Sequence, residues 1–262
     1  MENNSTSPLL RRSPTPLSPR GFELGWSLAF AVGAVGSGFC FSIGVAILGM
    51  LVGLDVRRQP MSLTVLMTLN SAFLVGVGIF VVAFVPLLAR RTLRELGIRT
   101  FGWREVGIGL FGALAMTIVV DGLAALMASL THYHATEAAI ELLKEVRTPS
   151  EATLFILMAA GVAPLVEELA FRVFLFSAFA RYAPVSIAAL LSGVLFGLAH
   201  LQSLAQLRSP DYLLTVSLPL AGGGIVLACV YAWSRCYWSN VITHALFNAF
   251  PLVLYFGFHV KT

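Results

Sequence analysis

Seven stretches of the chain are almost wholly apolar, and arginine, proline or short polar segments separate them. They show neither the strict alternation of a half-buried strand nor the polar stripe of a surface helix, so they predict helices that are apolar all round. At ~1.5 Å rise per residue, about 20 residues cross ~30 Å of hydrocarbon. The expected spans are about Leu24 to Leu54, Met61 to Ala89, Val106 to Leu130, Ala152 to Phe179, Val185 to Leu204, Leu213 to Trp233 and Val241 to Val260. The first run is longer than one crossing needs, so it tilts or contains a break, and splitting it would make eight spans. The fold class that follows is all-α, a polytopic transmembrane helix bundle of about seven spans.

Between the third and fourth spans, Thr136 to Arg147 predicts a short amphipathic helix at the interface, with Ile140, Leu142, Leu143 and Val146 on one side and Glu137, Glu141 and Glu145 on another. Residues 1–20 are rich in Ser, Pro and Arg and too poor in large apolar residues to order themselves, so they form a disordered tail. Residues 21–135 are then the N-terminal transmembrane helices and residues 136–260 the core that carries the polar residues considered below.

Composition strengthens this picture. Of 262 residues, 58% are hydrophobic and 11% charged, against roughly a quarter charged in a soluble domain. The 23 glycines fit close helix contacts in a membrane. The three cysteines, Cys40, Cys229 and Cys236, form no CxxC pair and are expected to be reduced. The formal charge of +4 is small and sits at segment ends, which argues against nucleic-acid binding and for orientation. With the N-terminus inside, ten arginines (Arg11, Arg12, Arg20, Arg90, Arg91, Arg94, Arg99, Arg104, Arg181 and Arg235) share one side, against six basic residues on the other. The positive-inside rule places the N-terminus in the cytoplasm of a plasma or inner membrane.

Ionisable groups inside spans are expensive and mark function by default. Here they are Asp121, Glu167, Glu168, Arg172, His200 and His244. Glu168 and Arg172 stand at i and i+4 and can neutralise each other. Glu167 is turned by about 100° and has Phe171 as its i+4 neighbour, so it is the free carboxylate and the candidate general base. Phe196 with His200, and His244 with Asn248, are two further i, i+4 pairs. Three helices thus offer polar patches that can converge on one pocket. A carboxylate and a histidine can deprotonate water, while a second histidine and an amide can donate to an oxyanion, a set suited to peptide hydrolysis. Asp121 reads as a structural hydrogen-bonding group, the His132–His134 pair as solvated, His259 as interfacial, and Tyr231, Trp233, Tyr237 and Trp238 as an aromatic belt.

In this order, Glu167-Glu168-x-x-x-Arg172, Phe196-x-x-x-His200 and His244-x-x-x-Asn248 resemble the motifs of the type II CAAX prenyl endopeptidase family, which includes lysostaphin-resistance-like (CPBP) proteins. The match runs from about Ala163 to Asn248, with Val173 where the family often has Gly. The resemblance implies an intramembrane endopeptidase in which Glu167 and His200 activate water, His244 and Asn248 form the oxyanion hole, and Glu168, Arg172 and Phe196 support them. It implies membrane lipids and a protein or peptide substrate as partners, prenylated in some relatives. No obligatory metal is expected; zinc, if used, would be held by Glu167, His200 and His244. Two other classes compete: a non-catalytic immunity or scaffold protein retaining the fold, and a proton-coupled transporter. On straight helices His200 and His244 differ in depth by ~18 Å, a mismatch the fold has to close.

Overall fold

The computed structural model describes residues 24–53, 63–84, 87, 94, 97–133, 138–201 and 206–259. The expected tail, residues 1–20, lies outside them, as do Arg90, Arg91 and His134. The described residues contain helices and no strand. In chain order we number them α1 (Leu24–Leu51), α2 (Leu63–Phe84), α3 (Trp103–Thr131), α4 (Ala138–Lys144), α5 (Pro149–Tyr182), α6 (Val185–Ala199), α7 (Pro210–Ser234) and α8 (Tyr237–His259). Six of the eight are long and apolar enough to cross a membrane, and α6 is a shorter apolar helix.

Each apolar run read from the sequence corresponds to a helix among the described residues, although the expected ends at Leu54 and Ala89 lie outside them and the fifth run needs a correction. The fifth was expected to run to Leu204, but α6 ends at Ala199 with His200 as its C-cap. At 1.5 Å per residue it is only ~22 Å long, too short to span alone. In α4, Leu143 is buried against Met67, Phe155 and Leu252, with Leu142 and Val146 beside it. Ile140, expected on the same face, is exposed.

Local chemistry explains where α5 begins. Thr148 caps it, its hydroxyl accepting from Glu151 N (3.2 Å) while Glu151 Oε2 accepts from Thr148 N (3.0 Å), and Pro149 occupies the first turn. This capping box was present in the sequence and starts the helix three residues before the apolar run suggested.

Within α5, π-helical stretches at Leu157–Val162 and Leu169–Phe176 flank the turns that carry Glu167 and Glu168. In the first stretch Ala163 N bonds Met158 O, five residues back. The next donor in that register would be residue 164, which is Pro164 and has no N–H, so the Ala159 carbonyl needs a partner from elsewhere.

Helix α5 touches α1, α2, α6, α7 and α8, while α3 closes against α7 and α8. The α6–α7 contact is glycine-mediated. A Cβ at Gly197 would run into the Ser217 carbonyl oxygen and the Ala221 backbone, and one at Gly224 would meet Gly193 and Phe196. Gly197→Ala is expected to cost ~1–3 kcal/mol, because backbone cannot yield as a flexible side chain can. Thermal denaturation in detergent, with Gly107→Ala as the open-space control, measures it.

The start of α8 is buried rather than set at a surface. Gly97, at φ +80°, accepts from Tyr237 N (3.0 Å), and Arg99 joins Glu105 (3.1 Å) to the Ser234 carbonyl (3.4 Å). Cys236, Tyr237, Ser239 and Asn240 are all buried. The first turns of α8 therefore already lie inside the bundle, and His244, one turn beyond Asn240, is buried there with them. Tyr231 and Tyr237 are also core residues, the latter donating its hydroxyl to Leu165 O (2.6 Å), so the belt reading fails for these two, while Trp233 is exposed and Trp238 partly buried. The three cysteines are free.

Candidate active site

Glu168, not Glu167, is the structural hub. It is fully buried on α5 and accepts three side-chain hydrogen bonds. Arg172 Nη1 (3.1 Å) and His244 Nδ1 (2.9 Å) both reach Oε1, and Asn240 Nδ2 reaches Oε2 at 3.0 Å. The i, i+4 pairing of Glu168 with Arg172 is thus present as the sequence requires. Arg172 is equally buried and also donates to Gly224 O of α7 (3.2 Å). Buried charges persist when paired and hydrogen-bonded, and this pair is both.

Phe196 explains how the two histidines come together. Its ring is buried, with the Arg172 guanidinium 4.6 Å from its centroid, the His200 ring at 4.7 Å and the His244 ring at 5.7 Å. Phe171 meets it edge-on at 5.1 Å. One aromatic ring therefore carries a cation on its face and meets both imidazoles, so the two histidines come together despite the mismatch expected from straight helices.

The hydrogen bonds also assign ring protons. His200 Nδ1 lies 2.8 Å from Phe196 O, and a carbonyl only accepts, so Nδ1 carries hydrogen and Nε2 holds the free lone pair of the neutral ring. His244 Nδ1 faces a carboxylate oxygen and carries hydrogen for the same reason. Its Nε2 points towards Glu167 Oε2, 3.9 Å away, which is too long for a direct hydrogen bond.

Glu167 is partly exposed, and its Oε2 is a buried oxygen with no hydrogen-bond partner among the described residues. Asn248, one turn beyond His244 on α8, donates an amide hydrogen to Ala159 O (2.8 Å), the carbonyl that Pro164 leaves without a helix donor. That bond holds the amide on the side of α5. No hydrogen bond joins His200 to Glu167 among the described residues, and no three His, Cys, Asp or Glu side chains there are grouped to hold a metal ion. The set named for zinc, Glu167, His200 and His244, does not fit such a group in this arrangement.

Asn240 was missed by sequence reasoning. It is fully buried and bridges three helices, donating to Glu168 on α5 and to Leu227 O on α7 (2.7 Å). The signal available was its position one turn before His244, on the same face of α8. Asn240→Ala is expected to lose one hydrogen bond to a charged group, ~1.5–3 kcal/mol, which a melt of the purified protein checks.

A bundle of apolar helices enclosing a carboxylate, guanidinium and imidazole network defines an integral, multi-pass membrane protein with a polar site inside its helices. Residues 149–250, the segment that builds this network, match the family described as Type II CAAX prenyl endopeptidase Rce1-like. The chain is also similar to a Bacillus subtilis (strain 168) protein named "Putative membrane peptidase YdiL", with 24% identity over 178 residues, 65% of this chain. It spans 66% of that relative, just under two thirds of its length. No solved structure matches. The family resemblance read from the three motifs is borne out by these two similarities.

Proposed function

We propose that this protein is an intramembrane endopeptidase whose general base is Glu167. The observation that carries the reading is the buried, unpartnered Glu167 Oε2, 3.9 Å from His244 Nε2. A water placed between such groups has an acceptor at hand, and the His200 ring packs on the same Phe196 ring as His244.

In the reaction, Glu167 takes a proton from water, assisted by His200, and the oxygen attacks the peptide carbonyl carbon. The carbonyl electrons move to oxygen, and the developing charge is met by His244 Nε2–H and the second amide hydrogen of Asn248. The intermediate collapses with C–N cleavage, and the departing amine takes the proton from Glu167. With Nδ1–H given to Glu168, His244 donates from Nε2 only as imidazolium. Glu167 and Glu168 against Arg172 and His244 then sum to zero, the balance a buried cluster favours. Arg172 and Asn240 act through Glu168 as positioning residues.

The substrate class we infer is a polypeptide that reaches the bundle through the membrane, and a prenylated C-terminal segment is the first type to try, since that is what the matched family is named for. The arginine bias supports a cytoplasmic N-terminus in a plasma or inner membrane. The experiment compares protein termini in whole membranes of cells carrying the wild type or Glu167→Gln at equal levels. Termini seen only with the wild type establish proteolysis and its cleavage rule; identical termini overturn the proposal in favour of a non-catalytic partner.

A further inference from the structure

Asp121 does not behave as the internal hydrogen-bonding group its sequence context suggested. It is exposed on α3, and none of the described residues offers it a hydrogen bond or ion pair. Ten residues, about 15 Å at 1.5 Å per residue, separate it from Thr131 at one end of the helix, and eighteen, about 27 Å, from Trp103 at the other, so it falls within a ~30 Å hydrocarbon layer that begins at either end and at the middle of one that ends at Thr131. A carboxylate facing lipid at that depth is expensive, and an intramembrane ionisable residue is expected to meet a partner.

The surface around it has the form of a helix-packing face. Helix α3 buries Ile108, Gly112, Met116 and Val120 within the bundle. Its outward face is bulky in the first half, with Phe111, Leu114 and Ile118 all exposed, and mixed from Asp121 onward, where small residues lie beside exposed Leu126 and Leu130. There Gly122, Ala125 and Ser129 are exposed, and a Cβ on Gly122 would touch nothing. Beside these residues lies a concavity of about 530 Å³ lined by Ala124, Ala128, His132 and Tyr133 of the α3 end and Thr215 of α7, together with Ala125 and Ser129. Small residues that admit a close backbone, next to a polar group needing a donor, are what associating transmembrane helices use.

We infer that the Asp121 face of α3 docks a transmembrane helix of another protein that carries a lysine or arginine near its midpoint. Charge selects this occupant. An acyl chain would leave the carboxylate unpaired. A second copy packed symmetrically on α3 would set Asp121 against Asp121, a like-charge contact. Nor do the described residues offer a free cation away from the helix ends, because Arg104 and Arg181 stand at the ends of their spans and Arg172 is fully buried on Glu168.

The test uses the full-length protein with a photo-crosslinking amino acid in place of Ala125, reconstituted in phosphatidylcholine vesicles. The probes are two biotinylated polyleucine transmembrane peptides, one with a central lysine and one with leucine there. The lysine peptide is expected to crosslink about ten-fold more than the leucine peptide, and Asp121→Asn should erase the difference. Equal yields from both peptides, a difference that survives Asp121→Asn, or products that are only lipid adducts or dimers of the protein itself would each overturn the inference. The melting temperature of Asp121→Asn confirms that the bundle is intact in that comparison, and the outcome is independent of whether the protein cleaves peptides.

Discussion

Replacing Glu168 by leucine is expected to destabilise the protein by ~3–5 kcal/mol, because it leaves a buried guanidinium without its carboxylate. Arg172 is fully buried, its remaining hydrogen-bond acceptor is Gly224 O, and its Nε is already without one. Asn240 and His244 lose their shared acceptor in the same step. In detergent the melting temperature should fall by about 10 °C. The double variant Glu168→Leu with Arg172→Met removes both charges and is expected to recover most of that loss, since an ion pair replaced by apolar side chains of similar size is often neutral. It should nevertheless remain inactive, because His244 then has no carboxylate to hold its ring in place. A single variant as stable as the wild type would show that the network is not what holds α5, α7 and α8 together.

The neighbouring glutamate should behave in the opposite way. Glu167→Gln keeps the side chain's volume and removes the capacity to take a proton, so processing should fall by about 10²–10⁴-fold, the usual contribution of a general base. Stability should change little, as Glu167 makes no hydrogen bond that the fold depends on and Oε2 is already unpartnered. The pair of measurements, melting temperature and appearance of new termini, therefore separates two adjacent residues of the same type. Equal loss of stability in both variants would argue that the cluster is structural throughout.

Much of this protein was determined by its sequence. Apolar runs of about 20 residues can satisfy their backbones in a bilayer only as helices, so the bundle and its approximate spans follow from composition and length. Helical periodicity likewise sets Glu168 beside Arg172, turns Glu167 away from both, and places His244 and Asn248 on one face. These are local relations, fixed by one helix at a time. What lies between helices was decided by tertiary structure. Nothing local reveals that α6 stops at Ala199, or that the start of α8 under Gly97 is buried together with His244. Asn240 reaches Glu168 across 72 residues of sequence, and Asn248 serves a carbonyl that a π turn and Pro164 leave open 89 residues away. Asp121 was legible as an intramembrane carboxylate, but which way it faced was not, because in a helix that is apolar all round periodicity does not distinguish the bundle from the lipid. Only the packing of Met116 and Val120 against Gly223 turns that carboxylate outward.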